Sequence, residues 1–121
     1  MSVWMSEEIL SHWKLGVDQF NRGEFWNAHE SWENGWVSLP EIYRLHIQAL
    51  IQVAAVFHLL ALGREDPALR LCASCIPKLQ ERPADGPWVE IQGAKAALLE
   101  IQRKPARFRE IQSTLFAELV K

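Results

Sequence analysis

The sequence predicts an all-α fold, a compact bundle of five to six helices around a central apolar helix. Two observations predict this fold: apolar residues recur at spacings of three and four, and no segment alternates convincingly as a strand does. Proline and glycine also fall where the periodic segments end. The chain has 121 residues, 49% of them hydrophobic and 23% charged, which is typical of one globular domain spanning residues 1–121.

The first two predicted helices contain most of the aromatic residues. Helix one begins at Ser6, whose side chain can accept a hydrogen bond from a free amide of the first turn, and runs to about Asn21. Gly23 lies in the turn that follows. The second helix runs from about Glu24 to Val37, and Pro40 separates it from the third.

The third predicted helix, residues 40–62, is apolar around its whole circumference in its second half. A helix of this kind is surrounded by others, so we expect it at the centre of the bundle. Gly63 ends it, and a fourth helix begins at Asp66 and reaches about Arg82. Because Pro77 removes one backbone hydrogen bond, we expect a kink near residues 73–76 or two shorter pieces.

The rest of the chain predicts a loop over residues 82–87 and a fifth helix over residues 88–103. Pro105 separates this helix from a last amphipathic segment. The apolar residues of that segment are Phe108, Ile111, Leu115 and Leu119.

Charge and hydropathy exclude several functional classes. The chain has 13 basic and 15 acidic side chains, so it lacks the basic excess that binding to nucleic acid needs. The longest apolar stretch, residues 49–62, is shorter than the roughly 20 residues that cross a bilayer. The N-terminal residues lack the pattern of a secretory signal. We therefore expect a cytoplasmic protein with neither nucleic acid nor a membrane as its partner.

Three polar residues lie among the tryptophans of the second helix: His29, Glu30 and Glu33. At about 100° per residue, His29 and Glu33 fall inside the aromatic face, and Glu30 falls at its boundary. A buried polar group without a partner costs about 1 to 3 kcal/mol, so these side chains need partners on another helix. The candidates on the third helix are Arg44, Gln48, Gln52 and His58. The sequence therefore predicts a polar cluster buried between helices two and three.

This cluster has three interpretations, which the sequence leaves open. The first is a structural hydrogen-bond network that fixes the register of the helices in a small binding or interaction module. The second is a small-molecule or catalytic pocket, which would make the protein an enzyme using His29 and Glu33. The third is a divalent metal site with His29, Glu33 and His58 as ligands. The motif reads His-Glu-x-x-Glu, so the zinc-peptidase motif His-Glu-x-x-His is absent.

Cys72 and Cys75 form a C-x-x-C pair inside the fourth predicted helix. A redox pair of this kind follows a strand, and a zinc site needs two further ligands. We interpret both cysteines as buried packing residues with free thiols.

The motif F-N-x-G-x-F-W-x-x-H-E-x-x-E-x-x-W over residues 20–36 is followed by Gln48, Gln52 and His58 on the next helix. This pattern resembles the domain-of-unknown-function family 309, small all-helical proteins of bacteria and archaea. The resemblance implies an all-helical fold and marks the polar residues of the motif as the positions to test. It implies no particular activity.

A second pattern is similar to one tetratricopeptide repeat, and its residues are Gly16, Gly23, Phe25, Ala28, Trp32 and Pro40. No second copy follows at the period of about 34 residues, so a solenoid is excluded. A single tetratricopeptide-like hairpin for protein interaction remains an alternative. Such a module would bind a protein partner or form a homo-oligomer through exposed apolar surface, for which Trp4, Trp88 and the last helix are candidates.

Overall fold

The computed structural model describes residues 7–36, 41–79 and 88–115. Within these ranges the chain forms α-helices and two short 3₁₀ helices packed together, without a strand. In chain order they are α1 (Glu7–Asn21), α2 (Phe25–Trp36), α3 (Glu41–Ala61), α4 (Glu65–Cys75), α5 (Trp88–Arg103) and α6 (Phe108–Leu115), with 3₁₀ helices at Ile76–Leu79 and Pro105–Arg107. The predicted all-α class is confirmed.

The first and third helices end at the glycines that predict their ends, whereas α4 begins at Glu65, one residue before the predicted Asp66. Gly23 and Gly63 have φ angles of +83° and +76°, the left-handed conformation that glycine adopts without a Cβ penalty. The predicted interruption at Pro77 is also found, because α4 ends at Cys75 and continues as the 3₁₀ helix Ile76–Leu79. The predicted features that lie outside the described residues are Ser6, Val37, Pro40, the loop 82–87 and Leu119.

The second half of α3 forms the centre of the core, as its apolar circumference predicts. This helix packs against α2, α4, α5 and α6. The ring of Phe57 contacts the rings of Phe20 and Phe25, with centroid separations of 4.9 and 5.5 Å. Among the α3 side chains that the structure describes, the buried apolar ones are Ile51, Val53, Ala54, Val56, Phe57 and Leu60.

Helices α1 and α2 form a tight hairpin around one buried tryptophan. The indole of Trp32 stacks on Trp13 at a centroid distance of 5.1 Å, and its Nε1 donates to the Trp13 carbonyl oxygen at 3.1 Å. A Cβ atom on Gly16 would overlap this indole, so the close approach of the two helices requires glycine there. Ser31 on α2 donates to Gln19 Oε1 on α1 at 2.6 Å. These contacts fix the rotation of α2 about its axis.

The described helices include none with the length and apolar character that crossing a membrane requires. The large apolar residues exposed at their surface are Leu15, Trp26, Leu62 and Leu99. Phe108 and Ile111 of the last helix are half-buried and pack against the core. Trp4 and the Trp88 side chain lie outside the described residues.

Candidate functional site

The buried face of α2 differs from the face that its tryptophans mark in the sequence. Over residues 25–35, whose burial the structure describes, the buried residues are Phe25, Ala28, Ser31, Trp32 and Gly35. On a wheel with His29 at zero they centre near about 260°, so His29 lies at the edge of the buried arc and Glu33 lies outside it. The prediction that His29 and Glu33 lie inside a buried aromatic face was therefore wrong.

The physical reason is the tight packing of α2 on α1. Small residues at Ala28, Ser31 and Gly35 allow this approach, and a Cβ on Gly35 would lie only 2.9 Å from the His12 Cβ. Packing through small residues rotates the opposite side of the helix toward solvent, and Trp26 is consequently 49% exposed. An indole has a large apolar surface, but it does not by itself mark the buried face of a helix.

The polar residues of α2 form a compact group at this solvent-facing edge. His29 Nδ1 lies 3.5 Å from Glu30 Oε1 and 3.6 Å from Glu33 Oε2. Both glutamate side chains are about half exposed, whereas the His29 side chain is 17% exposed. One ligand atom from each of the three residues lies within 4.8 Å of the others. The spacing of His29 and Glu33 by one helical turn brings their side chains together.

The Nδ1 atom of His29 is an exception to the usual pairing of buried polar atoms. It is buried and has no hydrogen-bond partner among the described residues. Leaving such an atom unpaired costs about 1 to 3 kcal/mol. The carboxylate oxygens of Glu30 and Glu33 lie 3.5 and 3.6 Å from it, on side chains that are about half exposed. A ligand between these side chains would therefore contact one nitrogen, His29 Nδ1, and one carboxylate oxygen from each of Glu30 and Glu33.

Trp26 packs directly against this group. Its indole is stacked on the His29 imidazole with ring centroids 4.7 Å apart and an interplanar angle of 7°. The same indole contacts the His58 ring of α3 at 5.3 Å and 42°. The sequence interpretation treated Trp26 only as part of the aromatic face and missed this contact. The signal for it was the spacing of three residues between Trp26 and His29, which places them on one side of a helix.

The other predicted members of the cluster are distributed along α3. Gln48 is exposed, and Gln52 accepts a hydrogen bond from Lys78 Nζ at 3.3 Å. His58 contacts Trp26. Within the described residues, the three side chains close enough to share a metal ion are His29, Glu30 and Glu33, so Glu30 replaces His58 as the third candidate ligand. The side chain of Arg44 lies outside the described residues. The described contacts therefore gather His29, Glu30 and Glu33, and they link Gln52 to the 3₁₀ helix after α4.

The two cysteines lie in the core, away from the polar group. Both are fully buried thiols outside any disulfide, and Cys72 Sγ donates to the Leu98 carbonyl oxygen at 3.3 Å. Burial raises the pKa of Cys72 to about 11 and, together with the neighbouring Cys72, that of Cys75 to about 12. Raised pKa values disfavour the reactive thiolate, and this agrees with a packing role.

These features define a small all-helical bundle that carries a solvent-facing His-Glu-Glu group on its second helix. A family model described as Domain of unknown function (DUF309) matches residues 13–71, which confirms the resemblance of the motif to that family. The matched residues include α1 from residue 13 onward, all of α2 with the polar group, and all of α3. No curated protein and no solved structure is a significant match to the chain.

Proposed function

We propose that this protein binds a divalent transition-metal ion through His29, Glu30 and Glu33. The observation that carries the proposal is the buried Nδ1 atom of His29, which faces two exposed carboxylates and lacks a hydrogen-bond partner among the described residues. An ion between these atoms would pair the nitrogen and neutralise both carboxylates. A single ion would thus bind all three side chains at once.

The distances support this assignment. Zinc binds imidazole nitrogen and carboxylate oxygen at about 2.0 to 2.2 Å, so neighbouring ligand atoms of a tetrahedral site are about 3.3 to 3.6 Å apart. The measured separations from His29 Nδ1 are 3.5 Å to Glu30 and 3.6 Å to Glu33. Because both glutamates are half exposed, their carboxylates can adjust by rotation without disturbing the core.

The donor set also favours one class of ion. Calcium and magnesium prefer all-oxygen sites, whereas an imidazole nitrogen combined with carboxylates suits zinc, iron, cobalt or manganese. Three protein ligands leave one tetrahedral position open for water or an external donor. The three proposed ligands are all on one helix, so a bound ion would also stabilise α2 in its helical conformation.

The test is a metal titration of untagged protein that has been stripped with a chelator. We expect saturable binding of one Zn²⁺ per chain by calorimetry, and a Co²⁺ absorption spectrum typical of tetrahedral coordination. His29→Ala and Glu33→Gln should each lower the affinity by about 100-fold or more, since even loss of an outer-sphere partner costs about 10- to 100-fold.

Two variants serve as controls for this titration. Glu100→Gln removes a partly exposed carboxylate of α5 that pairs with Arg103, and it should leave the Zn²⁺ affinity unchanged. His58→Ala should retain binding if the ligands are His29, Glu30 and Glu33, and should abolish it if His58 is the third ligand. Absence of saturable binding by Zn²⁺, Co²⁺ and Mn²⁺ to the wild-type protein would contradict the proposal.

A second candidate function is self-association through exposed apolar surface. Trp26 and Leu62 are 49% and 59% exposed, which supports this interpretation. Leu62 follows His58 by one helical turn, and its amide donates to the His58 carbonyl oxygen at 3.1 Å, while the His58 ring contacts Trp26. Trp26 therefore contacts His58, and Leu62 lies one turn beyond His58 along the chain.

Sedimentation velocity at increasing protein concentration tests this candidate. If a second copy covers the surface, Leu62→Lys should shift the protein to monomer, because a charged side chain cannot be buried there without a partner. Leu99→Lys is the matched control, since Leu99 is a similarly exposed leucine on α5. A wild-type protein that remains monomeric at every concentration, or equal effects of both substitutions, would contradict self-association through this surface.

A further inference from the structure

We infer that Trp26 is a positioning residue for the cation site, because it holds the imidazole of His29 in the orientation that directs Nδ1 toward Glu30 and Glu33. The inference rests on the proposed function. It concerns a residue that contributes no ligand atom of its own and that the sequence pattern did not assign to the site.

The ring stack restrains the imidazole plane. The planes of Trp26 and His29 are 7° from parallel at a centroid distance of 4.7 Å, so any rotation of the imidazole about its last side-chain bond other than a half-turn would break the face-to-face contact. Metal-ligating histidines usually need an outer partner that fixes the ring orientation. Here the flat indole surface performs that task by packing.

Trp26 is itself restrained by a contact with another helix, α3. A half-exposed side chain normally changes rotamer freely. The indole of Trp26, however, contacts His58 of α3 as well as His29 of α2, with ring centroids 5.3 Å and 4.7 Å away. The packing of α2 on α3 therefore restrains the indole, and the indole in turn restrains the ligand.

The experiment compares Zn²⁺ affinity in wild-type protein, Trp26→Ala and Trp26→Phe. Stacked aromatic pairs contribute about 0.5 to 1.5 kcal/mol, which corresponds to about a two- to twelvefold change in affinity. We expect Trp26→Ala to bind Zn²⁺ about two- to twelvefold more weakly. Trp26→Phe should recover most of the affinity because it retains a flat ring. Leu99→Ala, a change at an exposed leucine of α5, should have no effect.

A spectroscopic readout separates positioning from a general structural effect. In metal-free protein the indole should shift the His29 ring proton resonances upfield through its ring current. This shift should disappear in Trp26→Ala and persist in Trp26→Phe, while the circular dichroism spectrum remains helical in both. Unchanged Zn²⁺ affinity in Trp26→Ala beside normal wild-type binding would contradict only the role of Trp26. Absence of binding in the wild-type protein would contradict the proposed function and this role together.

Discussion

Replacing Trp32 with alanine should lower the free energy of unfolding by about 3 to 5 kcal/mol, the range for removing a large buried aromatic side chain. Trp32 is 2% exposed, stacks on Trp13 and packs against Phe20 at a centroid distance of 6.1 Å. Its Nε1 also donates to the Trp13 carbonyl oxygen. The loss would be a large part of the roughly 5 to 15 kcal/mol that stabilises a domain. Urea denaturation monitored by circular dichroism measures it.

Trp26→Ala is the matched control, because it makes the same substitution on the same helix. Trp26 is half exposed and loses mainly its contacts with two histidine rings, so we expect a cost of about 0.5 to 1.5 kcal/mol. The difference between the two variants measures the burial of α2 directly. Similar destabilisation by both substitutions would show that the two faces of α2 have been assigned incorrectly.

The elements that the sequence predicts correctly are those that depend on local chemistry. Gly23 and Gly63 end helices because left-handed backbone is accessible to glycine, whatever surrounds it. Pro77 interrupts α4 because its ring nitrogen carries no hydrogen in any fold. The central position of α3 follows from its apolar circumference, which is a property of one segment and needs no knowledge of its neighbours.

The rotation of α2 could not be predicted in the same way. Its aromatic residues and its small residues each mark a plausible buried face, and a wheel weighted by side-chain size selects the aromatic one. The choice depends on how closely α1 approaches, and that distance is set by Gly16 on the other helix together with Ala28 and Gly35. This pairing joins residues far apart in sequence, so a single-helix pattern does not contain it.

The same limit applies to the candidate site. The residue types alone predict the group, because a histidine and a carboxylate one helical turn apart can bind a common partner in any fold. The exposure of these side chains, and the position of Glu30 beside His29, depend on the rotation of α2. The contact between Trp26 and His58 depended on the crossing of α2 and α3. Sequence patterns therefore indicated the group, and tertiary packing determined its accessibility.

The buried cysteines should be nearly inert toward thiol reagents in the folded protein. Burial raises the pKa of Cys72 from 9.0 to about 11 and that of Cys75 from 9.0 to about 12. Each unit lowers the thiolate fraction near neutral pH tenfold, so labelling by a chromogenic disulfide at pH 8 should be slower than in denatured protein by about 100-fold or more. Rapid labelling of either thiol without loss of helical signal would contradict this burial.

The same raised pKa values predict how the two thiols change the free energy of unfolding in alkaline solution. Above pH 9 the unfolded chain releases the two thiol protons while the folded protein keeps them, so the free energy of unfolding should fall as the pH rises toward 11 and 12. Below pH 9 both states hold these protons, and the contribution of the thiols is fully present.

The variant carrying Cys72→Ala and Cys75→Ala should stay folded, with a less steep loss of stability over this alkaline window. Because the two proteins differ only at positions 72 and 75, the difference between their denaturation profiles isolates the thiols. Parallel profiles would show that the thiolates form as readily in the folded protein as in the unfolded chain.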